Sequence, residues 1–272
     1  MPTATAIKAP TTRLVYDKSG TEIIEIRNYY NTSLTRATKT NRGPDACARL
    51  LLDLQHLDLS QYETIVVDSV SYFELAARKY AEYVIDPNAR DPRRWFAAST
   101  DILEEVLLVF LAGLNKNVVV VTHIDEDKDE VHGGFLRTPK APGRLRKTLP
   151  SGYSEMYRAY VRTEGDKKQW LLQTEGDPIW NASSQLRAPN PCPPVYDALW
   201  ANWNDKLQQV DKQGHAMAGR NPLHVVVMGD PGARKSTFAA TFPKPMLVLN
   251  FDPMGKETPY LLAGETWEWT ED

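Results

Sequence analysis

Cysteine is nearly absent from this chain: Cys47 and Cys192 are the two in 272 residues. That is too few for a disulfide framework, and neither has a partner at metal-ligand spacing, so a cysteine-stapled secreted fold and a zinc-knuckle fold are both excluded and a reducing compartment is expected. No apolar run is long enough to cross a membrane, and Met1 to Pro10 is small and polar, unlike a signal peptide. A cytoplasmic location with no membrane partner follows as the expectation. Charge of one sign is also lacking. With 32 Lys+Arg against 35 Asp+Glu the formal net charge is −3, so any nucleic-acid surface has to be local. No internal repeat is visible either. At 42% hydrophobic residues the chain has enough apolar material for one large α/β domain or two small ones.

What the chain does have is concentrated near its end. Residues 223–237 read Leu-His-Val-Val-Val-Met-Gly-Asp-Pro-Gly-Ala-Arg-Lys-Ser-Thr. An apolar run halts at Gly229, a loop of small residues comes next, and Lys235-Ser236-Thr237 opens a helical stretch: a buried strand, a tight loop and a helix start. Backbone N–H groups of such a loop, together with the positive end of a helix, can surround a polyphosphate with no side chain in the way. The cradle would comprise Gly229, Asp230, Pro231, Gly232, Ala233, Arg234, Lys235, Ser236 and Thr237. In it Lys235 reaches the β- and γ-phosphates and the Ser236 hydroxyl sits on Mg²⁺. The ligands expected are ATP and Mg²⁺. The match to G-x-x-x-x-G-K-[ST] has one departure, Arg234 in place of the second glycine, at a position that favours a residue without Cβ. The plainer alternative is a strand, a Pro-Gly turn and a helix with an ordinary capping serine.

Further strands suit the same architecture. Thr64-Ile65-Val66-Val67-Asp68 is an apolar run ending in an acid, the arrangement that sets a carboxylate beside the Mg²⁺ of a phosphate loop; otherwise Asp68 caps the next helix. Val118 to Thr122 is a third buried strand, ending at His123, which is either a sensor of the terminal phosphate or a satisfied core histidine. Strands alternating with helices at this spacing predict a parallel sheet with ligands at the carboxyl ends of the strands. Leu14–Tyr16 and Ile23–Ile26 read as a hairpin, Pro44–Leu57 and Phe73–Tyr83 as helices, and Asp86–Trp95 as a loop. Asp101 with Glu104 reads as the capping pair of a helix through Leu111.

Residues 125–130 are an acidic run. Arg137, Lys140, Arg144, Arg146 and Lys147 then form a basic cluster with no acid between them. This is either a solvated loop with balanced charge or a mobile segment beside the nucleotide that tracks a nucleic-acid backbone. Residues 157–173 alternate as a hairpin, residues 176–197 hold five prolines and read as coil, Ala198–Val210 reads as a helix, and 204–221 reads as a linker.

The run from Phe238 to Pro253 resembles the segment after the phosphate loop in phage-type RecA-like ATPases, a group that includes single-strand-annealing proteins. Tyr62–Ser69 resembles that family's metal-binding strand, Val118–His123 its sensor strand, and Pro142-Gly143-Arg144-Leu145 the loop beyond. The likeness covers most of 14–200 and 222–264, but with the two blocks exchanged, since in the family the phosphate loop comes first. A circular permutation accounts for the order, with 1–203 carrying the metal strand, sensor strand and hairpin, 204–221 linking, and 222–272 carrying the phosphate loop. Two units in tandem are the alternative.

The resemblance implies one RecA-like α/β domain with a mainly parallel central sheet flanked by helices and a terminal hairpin at 157–173. The sensor strand would lie between the phosphate-loop strand and the metal strand, with 246–251 beyond the latter. It also implies that Asp252 polarises the attacking water, that an arginine from a neighbouring subunit completes the site in a ring or filament, and that single-stranded DNA binds near 124–150; the plainer alternative for Asp252 is a cap in the Asp-Pro turn. The implied function is a recombination or annealing ATPase in the host-cell cytoplasm. Two other readings stand beside it: a nucleotide-binding module whose hydrolysis is weakened by Arg234, and a small-molecule kinase on the same loop.

Overall fold

The computed structural model describes residues 10–29, 46–128, 133–202, 221–252, 257–264 and 266–270. The expected loop at 31–43 and nearly all of the expected linker at 204–221 lie outside them.

Ten strands form one mixed, mostly parallel sheet. Its middle is parallel: β2 (Glu22–Asn28), β11 (Met246–Asn250), β3 (Thr64–Asp68), β4 (Asn117–Thr122), β10 (His224–Gly229) and β7 (Glu155–Glu164), side by side in that order. One edge carries β1 (Thr11–Tyr16) and β12 (Thr266–Thr270), antiparallel to their neighbours. The other carries β8 (Lys167–Gln173) and the two-residue β9 (Ser183–Ser184), both antiparallel to β7. The strands of 222–270 are threaded among those of the first 200 residues. β10 lies between β4 and β7 and β11 between β2 and β3, so both blocks build one sheet. The order β11-β3-β4-β10 is the one expected for the phosphate-loop, sensor and metal strands.

The apolar runs are continuous because the central strands are covered on both faces. Every residue of β3, β4 and β11 is buried. Alternate residues serve different cores. Ile65, Val67, Val118 and Val120 pack with Leu50, Phe73, Leu103 and Leu107 of α1 (Ala46–His56), α2 (Val70–Tyr80) and α3 (Arg93–Glu104) with its continuation. Val66, Val119, Val121 and Val248 pack on the other face with Phe238, Phe242, Leu199 and Trp200. These come from α5 (Tyr196–Leu199) and α6 (Lys235–Ala239) and the turns after each. No helix among the described residues is long and apolar enough to cross a membrane.

Three expectations need correction. The 86–95 loop is shorter, because α3 begins at Arg93, one residue after Pro92 and directly after the Asp91 turn, whose carboxylate accepts from the Arg93 N–H at 3.0 Å. Asp101 and Glu104 are therefore not caps; they sit inside α3, whose helical path runs on as a π-helical stretch to Leu111. The described part of the acidic run, 125–128, is strand and not loop: β5 (Ile124–Lys128) pairs antiparallel with β6 (Phe135–Pro139), and cross-strand Glu126–Arg137 puts opposite charges face to face. A one-turn helix, α4 (Leu145–Thr148), comes next.

Candidate functional site

Gly229 ends β10 where the β7 backbone passes close by. A Cβ there would stand 2.5 Å from the carbonyl oxygen of Ala159, so the position has no room for a side chain. The chain then turns through Asp230-Pro231-Gly232, with the Ala233 N–H donating to the Asp230 carbonyl at 3.2 Å and Gly232 at φ +83°. Arg234 is the residue before α6 and has φ 61°, ψ 33°, the left-handed conformation natural to glycine. The sequence predicts that position to be special; the structure shows arginine adopting the glycine conformation.

Lys235, the first residue of α6, is 8% exposed and turns back into the loop. Its Nζ donates to the carbonyl oxygens of Gly229 (2.8 Å) and Asp230 (3.0 Å). Next to it, Ser236 Oγ donates to Asp68 Oδ2 at 2.6 Å. The same carboxylate oxygen accepts from the hydroxyl of Tyr260 at 2.8 Å. Tyr260 belongs to α7 (Thr258–Leu261). Asp68 is 3% exposed, and burial pushes its carboxyl above the ordinary carboxylate range. The two hydrogen bonds and Lys235 oppose that shift, while the neighbouring charge of Asp252 adds to it. Asp68 does not cap α2. Ser69 stands at that N-cap, and no side-chain capping bond is made.

His123 and Asp252 come to the same place from two other strand ends. His123 directly succeeds β4, its Nδ1 is 3.1 Å from Ser71 Oγ, and its ring meets Tyr72 edge-on. Asp252, two residues past β11, is buried, and its N–H donates to Asn250 Oδ1 at 3.0 Å. With Asp68, Gly232, Arg234, Lys235, Ser236 and Thr237 they line one cavity of about 350 Å³, completed by Ser69, Val121, Thr258 and Pro259. A second, mostly apolar hollow of about 520 Å³ shares Arg234, Thr237, Thr258 and Pro259 with it and runs on to Thr241, Leu262 and Ala263.

The donors suit a hard divalent cation. One carboxylate and one hydroxyl lie 2.6 Å apart at the rim of a cavity large enough to bring phosphate oxygens, which is how Mg²⁺ is usually held, through one or two protein oxygens plus substrate and water. No cage of three or more His, Cys, Asp or Glu side chains exists among the described residues.

The five cations expected to meet nucleic acid do not line this cavity. Arg137 pairs with Glu126 at 2.8 Å and stacks on Trp180. Arg144 pairs with Glu104 (2.6 Å) and Asp101 (3.0 Å). Arg146 pairs with Asp125 (3.1 Å) and with Asp127. Lys140 lines a separate hollow of about 280 Å³ with Glu74, Arg78 and Arg146. Lys147 is exposed on α4.

Sequence reasoning missed Tyr260, Thr258 and Pro259, which lie beyond Asp252 with no motif of their own. It also missed what Trp170 does. On β8 it reads as an ordinary alternating strand residue, yet its indole Nε1–H donates to the Gly232 carbonyl at 3.3 Å and the Arg234 guanidinium lies 3.5 Å above its ring centre.

The fold is thus α/β, with a mostly parallel sheet flanked by helices and a cavity at the carboxyl ends of β10, β3, β4 and β11, compatible with the Rossmann and P-loop-like class. No family model matches the chain, and no curated protein or solved structure matches it significantly.

Proposed function

We propose that this chain is a P-loop nucleotide-binding protein that takes ATP with Mg²⁺ in the 350 Å³ cavity. The observation that carries the reading is the hydrogen bond from Ser236 to Asp68, 168 residues apart in sequence. A lysine-serine pair on a glycine-bounded loop and an acid at the end of a strand two places away in the sheet converge where the metal of a nucleotide would sit. Lys235 is held in the loop by two carbonyls and has the charge to exchange them for phosphate oxygens. The loop N–H groups cradle the phosphates. The apolar hollow bounded by Thr241 and Leu262 receives the nucleoside. Bound Mg²⁺ would supply charge neutralisation for the β- and γ-phosphates. Around it, Asp68 and Ser236 orient the ligand, Asp252 stands within the cavity as a carboxylate for the attacking water, and His123 faces the terminal phosphate.

On this reading the chain is a RecA-like ATPase in circularly permuted order, acting on single-stranded DNA as a ring or filament. The strand order β11-β3-β4-β10 and the edge hairpin β7–β8 favour it. The DNA arm rests on the resemblance, since three of the five cations are already ion-paired. Binding without turnover is the second reading, favoured by the left-handed Arg234.

The test is titration with a fluorescent ATP analogue in Mg²⁺, then phosphate release with and without single-stranded DNA. Lys235→Ala is expected to lose about 1.5–3 kcal/mol of binding, roughly a ten- to hundredfold weaker Kd. Unchanged affinity in that variant overturns the assignment. Binding without release selects the second reading.

A further inference from the structure

We propose that Trp170 is a positioning residue for the 229–237 loop: it holds the loop in its phosphate-accepting shape with arginine, not glycine, at position 234. The inference rests on the nucleotide reading and adds a residue to it from outside the loop.

Arg234 has φ 61° and ψ 33°. A left-handed backbone brings Cβ against the next carbonyl in every residue except glycine, so an arginine relaxes out of it unless something else holds it there. The helix holds its carbonyl through the Phe238 N–H at 3.0 Å, and on the side-chain side the grip comes from one indole. The ring of Trp170 lies under the Arg234 guanidinium at 3.5 Å, a cation–π stack, and its N–H donates to the Gly232 carbonyl at 3.3 Å. Gly232 is itself left-handed, at φ +83°. Both left-handed residues of the loop are thus gripped from one side chain, 62 residues earlier than Gly232 in sequence.

The grip falls where it matters. Arg234 lies on the boundary between the 350 Å³ cavity and the apolar hollow, since it lines both, and it directly precedes Lys235 and Ser236. If Arg234 leaves the left-handed region, the peptide between 234 and 235 rotates, and the lysine and serine lose their aim. Trp170 lines neither the cavity nor the apolar hollow. It acts through Arg234 and Gly232, from an edge strand whose neighbouring residues Lys167, Lys168 and Gln169 are exposed. A glycine at 234 would adopt the conformation unaided and make Trp170 dispensable.

The experiment is a two-by-two set in the full chain: wild type, Trp170→Ala, Arg234→Gly, and the double variant. Each is titrated with the fluorescent ATP analogue in Mg²⁺ and unfolded thermally without nucleotide. Trp170→Ala is expected to weaken binding by roughly five- to thirtyfold, the size of the left-handed penalty. Arg234→Gly sets its own reference affinity, and in that background removing Trp170 as well is expected to change affinity by less than about twofold. Trp170→Phe, which keeps a ring under the guanidinium but loses the N–H, falls between. Equal affinity of wild type and Trp170→Ala, or a double variant as far below Arg234→Gly as Trp170→Ala is below wild type, overturns the proposal. The unfolding series separates it from the nucleotide reading. If none of the four binds nucleotide, that reading fails, while a larger loss of Tm on removing Trp170 beside arginine than beside glycine still upholds the positioning role. Equal losses reject it.

Discussion

Tyr260 and Ser236 donate to one and the same oxygen of Asp68, at 2.8 Å and 2.6 Å. The tyrosine is 1% exposed, so its hydroxyl has no water to turn to, and the bond fixes the carboxylate from an element other than the loop. Tyr260→Phe removes that donor with little change of shape. The expected result is a nucleotide-binding curve that needs roughly two- to thirteenfold more Mg²⁺, from about 0.5–1.5 kcal/mol of lost hydrogen bond. Affinity measured in EDTA should not move. A parallel loss in EDTA would mean that Tyr260 supports the cavity wall and that Asp68 is not oriented for a metal.

Asp68 gives a prediction with a sign that depends on pH. Burial raises its carboxyl above the ordinary value of 3.8, with the Ser236 and Tyr260 hydrogen bonds opposing the shift. A group raised on folding takes up its proton more readily in the folded chain. Its stabilising contribution is complete below the ordinary value and is lost as pH rises through the folded-state value. At neutral pH the buried carboxylate is therefore a net cost to folding. Asp68→Asn should melt above wild type at pH 7 and lose the Mg²⁺-dependent part of nucleotide affinity. The gap in Tm should close as pH falls towards the ordinary carboxylate value of about 4. A variant that melts lower than wild type at pH 7 would show that the charge is compensated better than its surroundings suggest.

Much of this site is legible in the amino-acid sequence, for a definite reason. β3, β4 and β10 are buried on both faces, so each is written as an unbroken apolar run, and each ends at a residue that chemistry singles out: Asp68, His123 after Thr122, and Gly229. Their order in the sheet also agrees with the resemblance. The β5–β6 hairpin is not legible, because Ile-Asp-Glu-Asp-Lys has almost no β-branched or aromatic residue; the cross-strand Glu126–Arg137 pair and Arg146 on Asp125 and Asp127 support it, and no local pattern announces them. Arg93 starts a helix amid Pro and Arg residues, since the Asp91 carboxylate takes its N–H. Tyr260 and Trp170 act through contacts 192 and 62 residues away in sequence, beyond the reach of any window.

Gly229 tests the loop by packing instead of charge. Its missing Cβ is replaced in space by the Ala159 carbonyl of β7, 2.5 Å away, and backbone on a paired strand cannot step aside as a flexible side chain would. Gly229→Ala should cost about 1–3 kcal/mol of overpacking, hence roughly 3–10 °C of Tm in a chain of this size. Gly232→Ala differs in kind: nothing stands within 4 Å of the new Cβ, and the whole penalty comes from φ +83°. It should be rescued by no repacking of β7, whereas Gly229→Ala should recover with any change that lets the strand recede. Equal Tm values for wild type and Gly229→Ala would show that β10 and β7 are not as closely apposed there.

The basic cluster makes an unequal set of predictions for single-stranded DNA. A cation already neutralised by neighbouring carboxylates releases few counterions when it meets a phosphate, because its own charge is spent within the protein. Arg144, held by Glu104 and Asp101, is such a residue, and so is Arg146 between Asp125 and Asp127. Lys147 is exposed on α4 and has no ion pair among the described residues. If DNA runs along this face, Lys147→Ala should flatten the plot of log affinity against log salt by about 0.7, one phosphate contact on a single strand. Arg144→Ala should leave the slope nearly unchanged, even where it loosens the 140–148 segment from α3 and lowers Tm. The measurement is equilibrium binding of a labelled oligonucleotide across salt concentrations, with wild type and both variants. A slope that responds to Arg144 and not to Lys147 would reverse the assignment. A slope that responds to neither would move the DNA track away from residues 137–147 altogether.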